Sequence, residues 1–148
     1  MQNRREFLGN VAAIGALAGI PVFAAKGNGT IGLGLGNYGL KMYATEKAIQ
    51  FINGLGYDSV EFALMPGYTT EPVKVPAEER RKIRSLVGSL GLAVPCLLET
   101  IAITGDESAH KAALERLRRD AQFGHDVNAG VGGIEPSVQT HLGGATKD

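Results

Sequence analysis

Short apolar runs alternate with helix-period stripes along residues 31–140. Ile31-Gly32-Leu33-Gly34-Leu35-Gly36 alternates apolar residues with glycine at the period of a strand. From Thr45 to about Asn53 the spacing predicts a helix. Ala48, Ile49, Ile52 and Leu55 share one face, Thr45 is a capping residue, and Gly54 and Gly56 close the end. Ser59-Val60-Glu61-Phe62-Ala63-Leu64 predicts a second strand. A second helix opens at Pro76, with Glu78 and Glu79 in its first turn, and Ile83, Leu86, Val87 and Leu90 line one side before Gly91 stops it. Ala93–Glu99 predicts a third strand and about Glu107–Asp126 a third helix, with Ala113, Leu114, Leu117 and Ala121 inward. A weaker fourth strand lies near Gly133–Thr140.

The junction Leu55-Gly56-Tyr57 recurs as Leu90-Gly91-Leu92, about one βα unit further on. Strand and helix in alternation predict an α/β fold with a parallel sheet and right-handed crossovers. Strand parity then separates the architectures. One face collects Ile31, Leu33, Leu35, Val60, Phe62, Leu64, Val94, Cys96 and Leu98. The other collects Gly32, Gly34, Gly36, Glu61, Ala63, Met65, Pro95, Leu97 and Glu99. A doubly wound sheet is covered by helices on both sides and is apolar on both. One apolar face and one small or polar face fit a barrel wall whose narrow interior takes small and functional groups. The expectation is a partial (βα)8 TIM barrel, about its first four βα units, with helices on the outer face.

Ahead of this pattern stands Asn3-Arg4-Arg5-Glu6-Phe7-Leu8, followed by the apolar run Val11–Ile20, Pro21 and Val22-Phe23-Ala24. The run is shorter than the roughly 20 apolar residues a spanning helix needs. Paired arginines, Phe-Leu and a small-residue cleavage region predict a twin-arginine signal peptide over residues 1–24 and a linker over 25–30. That route implies an exported, periplasmic or extracytoplasmic protein with no stable membrane anchor after cleavage, carried across already folded.

Composition narrows the partners. With 15 Lys+Arg against 15 Asp+Glu, the chain has no electrostatic footprint for nucleic acid. An apolar share of 44% supports a core. Cys96 is the only cysteine, so no internal disulfide forms even in an oxidising compartment, and it reads as a small buried hydrophobe.

Several residues carry candidate chemistry. Gly34-Leu35-Gly36-Asn37-Tyr38-Gly39 matches G-x-G-x-x-G, yet a dinucleotide site needs a helix that starts within the motif, and here the helix signal begins only at Thr45. Glu61, Glu99 and His141 each fall on the expected inward face, toward the C-terminal part of a strand, where barrel chemistry resides. Carboxylates and an imidazole converging there suit binding a divalent metal or moving a proton next to a carbonyl. Tyr38 and Tyr68 are candidates to stack on a sugar face while Asn37 hydrogen-bonds its hydroxyls. Arg80, Arg81, Lys82 and Arg84 read as a solvated helix face, Glu78 standing one turn before Lys82. His110 and His125 read as surface residues of the third helix.

Leu55-Gly56-Tyr57-Asp58-Ser59-Val60-Glu61, Pro76–Leu92 leading into Ala93-Val94-Pro95, and Gln139-Thr140-His141-Leu142-Gly143-Gly144 together resemble the xylose isomerase-like TIM-barrel superfamily. That superfamily includes exported sugar phosphate isomerase/epimerase homologues. The resemblance covers about residues 30–144. It implies a sugar or sugar phosphate substrate, a divalent metal (Mn, Mg, Co or Zn) that polarises the sugar, and acid/base groups that move a proton or hydride between adjacent carbons. Glu61 falls in the family's second-strand Val-Glu motif and carries over as a pocket residue. The family's metal ligands usually come from later strands, so no residue of this chain is assigned to a metal. The expectation is the N-terminal half of such a barrel, inactive alone. The alternatives are a half-barrel that self-associates as an interaction module, and an exported NAD(P)-binding oxidoreductase.

Overall fold

The computed structural model describes residues 31–102 and 105–143; residues 1–24, read above as an export signal, and 25–30, read as a linker, lie outside them. The described residues from Gly32 to Gly143 form one compact unit. Its strands are β1 (Gly34–Gly36), β2 (Ser59–Ala63), β3 (Cys96–Ala102) and β4 (Ser137–Gly143). Its helices are α1 (Thr45–Gly54), α2 (Ala77–Ser89) and α3 (Glu107–Val127), with short 3-10 turns at Asn37–Leu40 and Val131–Gly133. The four strands pair in sequential order β1-β2-β3-β4, and every pair is parallel. The protein is therefore α/β, with the strand order of a barrel wall. No described helix is long and apolar enough to cross a membrane.

One side of this sheet carries the core. Val60, Phe62 and Leu64 from β2 and its end meet Leu97 of β3, Ile49 and Ile52 of α1, Ile83 and Val87 of α2, and Phe123 and Val127 of α3. Phe62 and Phe123 meet edge to face, with ring centroids 6.0 Å apart and planes at 89°. All three described helices pack on this one side, and among the described residues no helix covers the other. Gly56 and Gly91, at φ 81° and 64°, end α1 and α2 in the left-handed region.

Two local expectations change. Thr45 does not cap α1 with its side chain: Ala44 holds the cap position, and the Thr45 hydroxyl donates to Thr69 Oγ1 at 3.0 Å. On α3 the buried residues are Asp120, Phe123, Gly124 and Val127, whereas Leu114 and Ala121 are exposed. The stripe is rotated because it includes a buried aspartate and a glycine, which hydropathy alone assigns to solvent.

The larger correction concerns β3. Ser59 bridges Ala93, but Phe62 pairs with Leu97 and Ala63 with Leu98. Val60 and Glu61 on one strand thus face Val94, Pro95 and Cys96 on the other. This extra residue is a bulge, placed where proline cannot donate to the ladder. It reverses the parity of everything after it. Leu97 and Glu99 point into the helix-covered core, at 1% and 0% exposure, and Cys96 and Leu98 join the face of Glu61. Glu99 is accordingly not an inward-facing partner of Glu61.

Candidate active site on the sheet face without helices

The second face is built from Gly34 and Gly36 of β1, Glu61 of β2, Cys96, Leu98 and Thr100 of β3, and Ser137 and Gln139 of β4, by strand register. Gly36 pairs with Glu61. A Cβ on Gly36 would stand 2.7 Å from Glu61 Oε1, so the carboxylate lies directly over the bare glycine backbone. Gly34 makes the same room for the Ser59 hydroxyl, at 2.5 Å. This is the physical use of the glycine alternation. The chain past Gly36 turns into the 3-10 segment Asn37–Leu40, and α1 begins only at Thr45, so no helix N-terminus opens at the glycines to receive a pyrophosphate.

Beside Glu61 sits Cys96, whose thiol donates to Gln139 Oε1 at 3.3 Å. Burial, and then the hydrogen bond and charge of Glu61, push the thiol up to about 11. It stays protonated at neutral pH and is no nucleophile. Thr100 donates to the Met65 sulfur at 3.3 Å and joins β3 to the loop after β2. His141 stands opposite Thr100 in the β3–β4 register, one residue past the Glu99–Thr140 pair; its side chain lies outside the described residues.

At the C-terminal ends of β1 and β2 the rim is held by three buried polar groups. The Ala63 N–H donates to Asn37 Oδ1 at 2.7 Å, Asn37 Nδ2 donates to Thr70 Oγ1 at 3.0 Å, and the Thr70 hydroxyl donates to the Ala63 carbonyl at 2.7 Å. Asn37 is 4% exposed and Thr70 0%. The Asn37 amide is spent inside the protein, fastening the rim loop to the strand end, rather than turned toward sugar hydroxyls. Its partners lie 26 and 33 residues away in sequence, which hid this role.

Next to this clamp Tyr38 and Tyr68 stack, with centroids 5.7 Å apart and planes at 25°. Tyr68 is buried, Tyr38 is 57% exposed, and the Lys41 ammonium stands 4.8 Å from the Tyr68 ring centroid. Burial, and then Tyr38, raise the Tyr68 phenol above its ordinary value. Glu71 accepts from the Gly67 N–H at 2.9 Å and pairs with Lys74 at 2.7 Å; the Lys74 hydrogen bond and then Gly67 hold its carboxyl low. Arg80 belongs to this rim as well, not to a solvated helix face. It donates to the Val75 and Pro72 carbonyls at 2.9 and 2.7 Å and to Asp126 at 2.9 Å, with its guanidinium over Phe123. Lys82 does pair with Glu78 in solvent, at 2.8 Å.

Glu99 lies on the far side of the sheet. Its Oε2 accepts from Arg116 Nε at 2.7 Å, and its Oε1 accepts from Arg116 Nη2 at 2.6 Å and from the Thr100 N–H at 2.6 Å. Every strong contact of this carboxylate is internal. Of the two carboxylate candidates, Glu61 has its carboxylate on the face without helices and Glu99 does not, while the His141 position shares the Glu61 face by register. His110 and His125 are exposed on α3.

Among the described residues no group of three or more His, Cys, Asp or Glu side chains gathers to hold a metal ion. What the arrangement offers is one carboxylate over a glycine floor, with an aromatic and cationic rim beside it. No family model, no curated protein and no solved structure matches this chain.

Proposed function

We propose that the face centred on Glu61 is one wall of a binding pocket for a sugar or sugar phosphate, in an isomerase/epimerase-like barrel. The observation that carries this reading is the Glu61 carboxylate lying over Gly36 on the face without helices. With no Cβ beneath it, the carboxylate settles onto the sheet and stays part-exposed to a ligand above it. A carboxylate there accepts hydroxyl hydrogen bonds or takes a proton from a carbon beside a carbonyl. Tyr38, backed by Tyr68, offers an apolar ring to a sugar face, and Lys41 offers a positive charge to a phosphate. In the same reading residues 1–24 direct export by the twin-arginine route.

The test is calorimetric titration of the full chain with fructose 6-phosphate. Glu61→Gln is expected to weaken binding at least about tenfold, the scale of one hydrogen bond to a charged group. Gly36→Ala, which displaces the carboxylate without removing it, is expected to weaken binding in the same sense. Wild-type affinity in both variants would remove Glu61 from the site and this reading with it.

A further inference from the structure

The helix-covered face of β3 holds a group that the proposed pocket does not use. Gly124 of α3 packs on Leu97, whose Cδ1 lies 2.6 Å from where a glycine Cβ would stand. One turn back along α3 is Asp120, and one turn further back is Arg116, which grips Glu99 two residues beyond Leu97. Helix and strand therefore run in opposite directions, and Asp120 stands between the close glycine contact and the ion pair. Its side chain is 1% exposed, and Oδ2 has no hydrogen-bond partner among the described residues.

The charges at this junction do not balance. Glu99 and Asp120 are both buried carboxylates, and the guanidinium of Arg116 is committed through Nε and Nη2 to Glu99. A buried carboxylate without a donor is far more costly than a neutral carboxyl at the same place. The groups acting on Asp120 are Glu99 from β3 and Arg116 and Arg119 from its own helix. Thr140 of β4 is in register with Glu99, and α2 and α3 are tied further down by Arg80 and Asp126.

We propose that Asp120 carries a proton in the folded protein under mildly acidic conditions, and that losing it near neutral pH loosens the seat of α3 on β3. The junction is then a pH-sensitive device built into the wall of the fold, whatever ligand the opposite face takes. Burial, and then the charge of Glu99, push the Asp120 carboxyl up to about 6, against the pull of Arg116 and Arg119. The folded chain thus holds this proton more tightly than the unfolded chain, whose carboxyl has the ordinary value of 3.8. The stabilising effect of the proton is complete below about pH 4, fades as pH rises, and is gone above about pH 6.

Urea unfolding of the full chain and of Asp120→Asn, at pH 4.5 and 7.5, tests this. The wild-type folding constant is expected to fall by one to two orders of magnitude more than that of Asp120→Asn across the interval. Other titrating groups are common to both proteins and cancel. Parallel pH dependence in the two would overturn the proposal. Should Asp120→Asn fail to fold, a carboxyl-carbon NMR titration of the wild type decides. A midpoint near 6 for Asp120 supports the device, and a midpoint at or below 4 overturns it. Amide exchange adds a local readout: corrected for intrinsic rates, Arg116–Val127 is expected to exchange faster relative to α1 at pH 7.5 than at pH 5.

Discussion

Arg116→Met is expected to destabilise the protein by about 3–5 kcal/mol, the cost of leaving a buried charge without its partner. Glu99 is fully buried and receives two charge-assisted hydrogen bonds from this one side chain. Asp120, buried on the same junction, adds a second negative charge that the guanidinium also moderates. Losing Arg116 therefore leaves the buried Glu99 without its cation and, above about pH 6, beside a second carboxylate. Total stability of a domain this size is of order 5–15 kcal/mol, so the variant stands near the edge of folding. The paired replacement Glu99→Met with Arg116→Met is expected to recover most of the loss, since an apolar pair removes the charge rather than stranding it. Equilibrium unfolding in urea measures both. A loss below 1 kcal/mol for Arg116→Met would mean that water reaches Glu99.

Phe62→Ala is expected to cost about 3–5 kcal/mol, the usual range for deleting a buried aromatic ring from a core. Phe62 is 0% exposed and meets Phe123 edge to face, so the substitution opens a cavity between β2 and α3 where neither backbone can close in. The fall in thermal midpoint should exceed that of Leu86→Ala, whose side chain only borders the same cluster. Equal effects would place the centre of the core elsewhere.

Much of this architecture was legible in the chain. Of the predicted stripes, Ala48, Ile49, Ile52, Ile83 and Val87 bury against the apolar sheet face and Leu86 and Leu90 border it, whereas Leu55, just past the end of α1, stays 55% exposed. The parallel α/β order follows from the same alternation. What failed to show was the bulge at Val94–Cys96. Val94, Cys96, Leu97 and Leu98 are all apolar, so no period-2 contrast marks the slipped residue, and the facing of Glu99 turns on that slip. The role of Glu99 also depends on Arg116, 17 residues away on a helix whose inward face includes an aspartate.

The candidate site was legible in part for the same reasons. Glu61 falls on the glycine-lined face because β1 and β2 pair without a slip, Gly34 with Ser59 and Gly36 with Glu61. Asn37 carries a polar side chain just past a strand end, which describes a ligand-binding residue and a loop clamp equally well. Only the partners Ala63 and Thr70 distinguish the two. Arg80 sits among exposed basic neighbours, and nothing local marks it as the one that turns inward to the rim carbonyls and Asp126.

The proposed pocket places ligand contact on the helix-free face of the sheet. Amide and methyl NMR of the isotopically labelled full chain, titrated with fructose 6-phosphate, tests that directly. Shifts centred on Gly36, Tyr38, Glu61, Cys96 and Gln139 are expected, with α1 and α2 undisturbed on their outer surfaces. Shifts confined to the groove between α1 and α2, around Glu46, Glu79 and Lys82, or no shifts at all, would contradict this placement.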